Sequence, residues 1–319
     1  MSKLLAVTTF CHADMWLAEK RAEYMKAQGY QPTHDLLLIG DSSVSDADVE
    51  RLQAAYKGVF KEIYGRRFKE SPLNSQWPHS CNHAWRITTR IVAGRYGNPK
   101  FPPLGYVAWF YFEPDVTPLK KEFLGIMEQQ YIFHRKQFMG YVGPVKVRTT
   151  TKGVVKDSNV DHMNGAAVYP ISTSHYSKEA LLSDQLPWDV AGFAGNELLK
   201  VHRIPREVYL MGFRSKNFVK TGENAFEGIR EVINNAGAIE PCTLNTSQAI
   251  LHHGCKDGSL MDAFSNPVQK SPTSNTNKPE VSKNEEILKD HASGMKWKDL
   301  ISKYKIAPVE LKKILPPKK

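Results

Sequence analysis

The sequence predicts an α/β fold, a mostly parallel sheet flanked by helices, followed by a small all-α segment. Three observations carry this. Short apolar runs alternate with stretches of helical length from Leu4 to Phe112, the order of parallel strands joined by crossover helices. Two of the runs, Leu36–Ile39 and Tyr106–Phe112, are continuously apolar, as strands covered on both faces are. A segment rich in Ser, Pro, Asn, Thr and Lys, Ser265 to Ser282, cannot bury enough surface to offset its ordering entropy.

The elements follow in order. Leu4–Thr9 is a first strand. Met15–Gln28 is a helix that Gly29 stops. Asp35–Gly40 is a second strand, closed by Asp41. Asp46–Tyr56 is a helix with Asp46 as its N-cap. Lys57–Ile63 is a third strand, Asn82–Gly94 a helix and Tyr106–Phe112 a very apolar strand. Sheets of this kind bind ligands beyond the carboxyl ends of their strands. That directs attention to Thr8, Thr9, Asp41, Glu113 and Asp115. The domain plan is a body over 1–264, a flexible linker over 265–282 and a basic helical module over 283–319.

Composition narrows the classes. The chain has 319 residues, 41% hydrophobic and 24% charged, which excludes wholesale disorder and fibrous scaffolds. Its longest apolar run, Tyr106–Phe112, falls far short of the ~18–20 residues of a spanning helix, and no membrane partner is expected. The N-terminal apolar run ends by Thr8 without a small-residue cleavage pattern, so it reads as a strand. Cys11, Cys81, Cys242 and Cys255 lie far apart with no CxxC pair. They read as reduced thiols in a cytoplasmic chain with no disulfide partner. The net charge of +10 favours polyanions such as nucleic acid, nucleotides or a membrane surface.

Three constellations carry chemistry. VAWFYFEPD, Val107 to Asp115, delivers Glu113 and Asp115 at the end of a buried strand, two apart and so on one side of an extended chain. Paired acids there suit a hard divalent cation, which can bridge a diphosphate. VDHMNGAAVYP, Val160 to Pro170, contains Asn164–Gly165–Ala166–Ala167, small enough to let a backbone pass close to a ligand. AILHHGCKDGSL, Ala249 to Leu260, offers a neutral imidazole from His252 or His253 to complete a metal site. It also offers Lys256 as a point charge for phosphate.

Taken together these motifs resemble the GT-A class of nucleotide-sugar glycosyltransferases over roughly residues 4–262. The resemblance implies a GT-A fold, a divalent metal (Mn²⁺ or Mg²⁺) and a nucleotide-sugar donor, a UDP-sugar. It implies Asp115 as main metal ligand, His253 as the late one and Lys256 as the phosphate contact. Glu113 stands where an Asp is commoner, at ribose or metal. Thr8, Thr9 and Asp14 lie where such a fold meets base and ribose, and Asp41 is a further candidate there. In SPLNSQWPHSCNHAWR, Trp77, Asn82 and Arg86 precede the acidic strand, and Asn82 near a helix start would face an anion. In QLPWDVAGFAG, Gln185 to Gly195, Asp189 is the candidate base for the acceptor hydroxyl, or a partner of donor-sugar hydroxyls.

From Asn284 the pattern becomes three short helices, and from Glu280 onward ten lysines face six acids. The segment resembles the helix-turn-helix of site-specific recombinases. That implies a third helix, Val309 to Ile314, in the major groove, with Lys298, Lys303, Lys305, Lys312 and Lys313 at phosphates. Together the halves resemble bacteriophage enzymes that glycosylate a hydroxymethylated pyrimidine in duplex DNA, acting in the host cytoplasm. Arg66, Arg67, Arg135, Lys136, Arg203, Arg206, Arg214 and Lys216 are candidate phosphate contacts on the body. Three other readings stay open: the same fold acting on a protein, lipid or surface glycan, a non-catalytic nucleic-acid binder, and a nucleotidyltransferase.

Overall fold

The computed structural model describes residues 4–70, 79–95, 105–151, 154–172, 188–232, 238–266 and 287. The chain divides into two units, Met1–Gln269 and Lys270–Lys319. The tail helices, their five lysines, the linker from residue 267 onward and Trp77 lie outside the described residues.

The first unit opens with β1 (Leu4–Phe10), α1 (Met15–Ala27), β2 (Asp35–Gly40), α2 (Asp46–Tyr56), β3 (Ile63–Arg67), α3 (His79–Val92) and β4 (Ala108–Tyr111). β4, β1, β2 and β3 lie side by side and parallel, the class the alternation predicts. Some boundaries differ for local reasons. Lys57–Glu62 is not a strand, because Gly58 turns the chain at φ 87°, and β3 begins at Ile63. The cap of α2 is Ser45 rather than Asp46. Ser45 Oγ accepts from Asp48 N at 3.1 Å while Ser45 N donates to Asp48 Oδ2 at 2.9 Å, a reciprocal capping box. α3 starts at His79, ahead of Asn82.

Then come β5 (Val116–Pro118), α4 (Phe123–His134), β6 (Phe138–Gly140), the hairpin β7 (Val142–Thr151) and β8 (Val154–Met163), and β9 (Val168–Pro170). α5 (Trp188–Gly192), a 3-10 helix (Gly195–Lys200) and β10 (Val201–Arg203) follow. β9 inserts antiparallel between β4 and β6, giving a seven-stranded, largely parallel sheet in the order β10-β6-β9-β4-β1-β2-β3. The remaining elements are β11 (Tyr209–Lys220), β12 (Ala225–Val232), β13 (Ala238–Asn245), β14 (Leu251–Cys255) and α6 (Ser259–Ser265). A second sheet, β13-β12-β11-β14-β5, has no counterpart in the sequence reading.

Strand residues alternate between two cores. Leu4, Ala6, Leu36, Leu38 and Phe110 share one with α1, α2 and α4. Leu5, Val7, Leu37, Ile39 and Trp109 share the other with Trp85, Ile87 and Ile91 of α3. Helices on both faces explain the unbroken apolar runs. Among the described residues no helix is long and apolar enough to cross a membrane.

Candidate active site

Glu113 and Asp115 lie where the chain leaves β4 in the first sheet for β5 in the second. They converge through a tight turn, in which Val116 N donates to Glu113 O at 3.0 Å, and not through the pleat of an extended strand. The turn is pinned from below by Arg21 of α1, whose side chain is fully buried. Arg21 donates to Tyr56 Oη at 2.8 Å, to Thr8 Oγ1 at 2.8 Å, to Phe112 O at 3.2 Å and to Glu113 O. Its guanidinium lies 3.5 Å from the Phe112 ring centroid.

The histidine strand comes from the second sheet. His253 of β14 pairs with Val116 of β5, which sets it beside Asp115. Its Nε2 lies 3.5 Å from Glu113 Oε2 and 3.3 Å from Asp115 Oδ1, and Lys256 Nζ lies 2.6 Å from Asp115 Oδ2. His252, one residue earlier on the strand, faces the opposite side against the Phe218 ring at 5.7 Å. Burial lowers its pKa to about 3, so it is a neutral core imidazole. Gly254 then takes φ 109° and donates its N–H to Asp115 O at 3.3 Å, a backbone conformation that favours glycine.

Asp115 is 2% exposed, and its ionic neighbours are close without hydrogen-bond alignment, so neither carboxylate oxygen has an aligned donor. A buried carboxylate needs compensating positive charge, which Lys256 and His253 supply at 2.6 and 3.3 Å and which a bound cation would take over. Glu113, Asp115 and His253 offer three ligand atoms within 4.8 Å of one another. Two carboxylate oxygens and an imidazole nitrogen suit a divalent ion such as Mn²⁺ or Mg²⁺, so the residues fit the metal that the resemblance implies.

The charges are mutually tuned. Burial opposes ionisation of Asp115, but His253 and Lys256 together hold its carboxyl well below the usual range. Burial opposes charge on His253, but Asp115 and Glu113 outweigh it and push the imidazole up to about 10. Before a metal binds, His253 is therefore protonated at neutral pH, and a ligating imidazole must be neutral. Mn²⁺ binding is expected to release about one proton per site. Titration calorimetry in buffers of different ionisation enthalpy measures this; an apparent enthalpy independent of buffer would remove His253 from the ligand set.

The other candidates are placed as follows. Thr8 is buried, its hydroxyl held between Phe112 O at 2.8 Å and Arg21, so it belongs to the core. Thr9 shares a hydrogen bond of 2.9 Å with Thr88 of α3. Asp14 accepts from Cys11 N at 2.7 Å. Its carboxyl is raised by burial and also feels Lys256 and Asp115, which sets it beside the acid cluster. Asp41 accepts from Ser43 N at 2.8 Å in the turn after β2. Asn82 is buried in the first turn of α3, and Arg86 donates to His83 Nδ1 at 2.8 Å. Asn164 Oδ1 accepts from Ala166 N at 3.1 Å. A methyl group at Gly165 would fall 2.8 Å from Glu113 Oε1 and 3.0 Å from the Trp188 ring, so only glycine brings that backbone against the acids. The basic candidates of the body are dispersed over several elements, and Arg67 is engaged by Asp46 at 3.0 Å.

Asp189 opens α5. Its Oδ1 accepts from Val190 N at 3.0 Å, and its Oδ2 lies 3.5 Å from His162 Nε2. Trp188 stacks flat on Trp85, centroids 3.6 Å apart at 4°. Cys81 is exposed in the first turn of α3, and its thiol is raised by partial desolvation and by the charges of Glu113 and Asp189, while Lys256 opposes them. Sequence reading passed over Arg21, Cys81 and His162. His162 and Cys81 carried a signal only in their places inside the quoted VDHMNGAA and SPLNSQWPHSCNHAWR segments.

No protein-family model and no curated protein matches the sequence. Among solved structures, an active-site mutant of LgtC aligns over 65% of this chain and 75% of its own, at 10% identity and a TM-score of 0.43. A likeness that slight assigns no chemistry.

Proposed function

We propose that the protein is a metal-dependent glycosyltransferase that moves a sugar from a nucleotide-sugar donor, a UDP-sugar, to a hydroxymethylated pyrimidine in duplex DNA. The observation that carries the transfer chemistry is the meeting of Glu113, Asp115 and His253 within 4.8 Å, beside Lys256, where the two sheets join. In this reading Lys256 turns from Asp115 to the donor diphosphate as a compact point charge. A divalent cation held by Glu113, Asp115 and His253 would supply Lewis-acid stabilisation of charge on the departing diphosphate. Asp14 bounds the donor side, and Gly165 lets the sugar approach the backbone next to Glu113. Asp189 serves the acceptor side. The remaining donor contacts are assigned to Thr9, Asp41, Asn82, Arg86 and Asn164.

The DNA acceptor is supported by the net charge of +10 and by the lysine-rich end, whose Lys298, Lys303, Lys305, Lys312 and Lys313 would neutralise phosphates. The target base leaves the stack to present its hydroxyl. The test is incubation of the full chain with hydroxymethylated duplex DNA, Mn²⁺ and a panel of nucleotide-sugars, followed by nucleoside mass spectrometry. A hexose or pentose increment is expected. Donor hydrolysis without a mass gain would reject the DNA acceptor alone. An intact donor in every reaction would reject sugar transfer.

A further inference from the structure

Around Asp189 the hydrogen bonds define a group with an unfilled proton position. His162 of β8 stands opposite Gly143 of β7, and its backbone is bridged to Ala194 as well. Its Nδ1 lies 3.2 Å from Gly143 O. A carbonyl only accepts, so Nδ1 carries the hydrogen, and the tautomer this selects for the neutral ring has its lone pair on Nε2. That lone pair meets Asp189 Oδ2 at 3.5 Å, and a carboxylate also only accepts. The two atoms face each other just beyond good hydrogen-bond distance, one proton short of a bond.

Both partners are fixed. Asp189 is held through Val190 N, and the Trp188–Trp85 stack anchors the start of α5. The pair is not sealed off, with side chains 12% and 19% exposed. The residue before Asp189 reaches the acids, since a methyl group at Gly165 would lie 2.8 Å from Glu113 Oε1 and 3.0 Å from the Trp188 ring.

We propose that His162 Nε2 is the base that takes the acceptor proton, with Asp189 as the carboxylate that holds the imidazolium. The proposal rests on the sugar-transfer reading above and refines the place of Asp189 in it. As the acceptor oxygen bonds to the anomeric carbon, the bond from that carbon to the diphosphate oxygen breaks. Its electron pair leaves with the nucleoside diphosphate. The acceptor proton passes to Nε2, and the new N–H closes the missing hydrogen bond to Asp189 Oδ2. Direct attack of this kind inverts the anomeric centre. Asp189 acting alone would leave the lone pair of His162 facing it without a purpose.

His162→Gln separates the base from a structural support. Glutamine can donate to Asp189 but cannot take a proton. Transfer to a hydroxyl acceptor is expected to fall about 10²–10⁴-fold, with the donor KM and the Mn²⁺-induced thermal shift within about twofold of the parent. Azide brings no proton to remove, so donor consumption with azide should match the parent in the same variant. A variant that transfers to hydroxyls at the parent rate overturns the proposal. So does one as impaired with azide as with hydroxyl, because the defect would then be structural. A parent that glycosylates acceptors beside an unaffected variant rejects this inference alone, whereas a parent that consumes no donor with either nucleophile rejects sugar transfer and this inference together.

Discussion

Asp115→Asn is expected to lower turnover by about 10³-fold or more, roughly 4 kcal/mol of transition-state stabilisation, and to abolish the response to Mn²⁺. The substitution keeps the shape of a side chain that is 2% exposed and removes only its charge. With that charge goes the one carboxylate that both His253, at 3.3 Å, and Lys256, at 2.6 Å, approach. Glu113 and His253 remain, but two ligands on separate elements hold a divalent ion far less firmly than three. The readout independent of catalysis is thermal. Saturating Mn²⁺ should stabilise the parent protein by about 2.7 kcal/mol at a hundred times its Kd, while the variant melts at one temperature with or without the ion. A variant that keeps the shift would show that the ion, if bound, sits elsewhere.

The same substitution has a pH signature in EDTA. Asp115 has a folded pKa below its ordinary value, so its contribution is present above about 3.8 and is lost only as pH falls well below it. His253 has a folded pKa raised to about 10, so its contribution is present below 6.5 and is lost as pH rises through about 10. The parent should thus show a plateau of stability from about pH 3.8 to 6.5, with a progressive loss below it and another from 6.5 up to about 10. In Asp115→Asn the acid limb from this group disappears. The alkaline limb moves to lower pH, because Asp115 is the foremost charge holding the proton on His253.

Legibility in the sequence followed burial. β1, β2, β4 and α1 to α3 could be read because strands covered on both faces give unbroken apolar runs and glycines mark the turns, whereas β3, the short charged run IYGRR at the sheet edge, begins only where the expected third strand ends. β11 to β13 could not be read. LMGFRSKNFVK and FEGIREV mix charges with apolar residues, and their ladder is broken by a register shift between Lys216 and Val219. Pro241 sits inside β13, which argues against a strand until the structure puts β13 at a sheet edge, where a missing N–H is tolerated. At the site, Glu113 and Asp115 were marked by the apolar strand ahead of them and Lys256 by its place after the histidines, whereas His253 rather than His252 came only with the resemblance. Their convergence was not legible, because it depends on a turn and on a strand from a sheet the sequence did not announce. Arg21 was missed for a different reason. In MWLAEKRAEYMKA it is one of several charges, and only its helical spacing from Leu17, Ala18, Tyr24 and Met25, a signal the sequence reading did not use, puts it on the inward face.

That inward arginine leads to the second large effect. Arg21→Met removes a charge from a fully buried position, which by itself relieves a desolvation penalty. Against that stand the acceptors it serves, each worth about 1–3 kcal/mol if left bare. None is left wholly bare. Tyr56 Oη still donates to Ala18 O at 2.9 Å, Phe112 O still accepts from Thr8 at 2.8 Å, and Glu113 O still accepts from Val116 N at 3.0 Å. The two terms partly cancel, and a net loss of about 2–3 kcal/mol is expected, a fall in Tm of roughly 4–12 °C. The functional loss should exceed the thermal one. Arg21 ties α1, β1 and the Glu113 carbonyl to a single rigid fork, and the three donors of a lysine ammonium, all on one nitrogen, cannot reach acceptors spread around separate guanidinium nitrogens. Mn²⁺ affinity is therefore expected to fall at least about tenfold, as for loss of an outer partner of a metal ligand, in Arg21→Met and Arg21→Lys alike at a temperature where both are folded. Affinity kept within twofold in either variant would mean that the bonds from Val116 and Gly254 hold the acidic turn unaided.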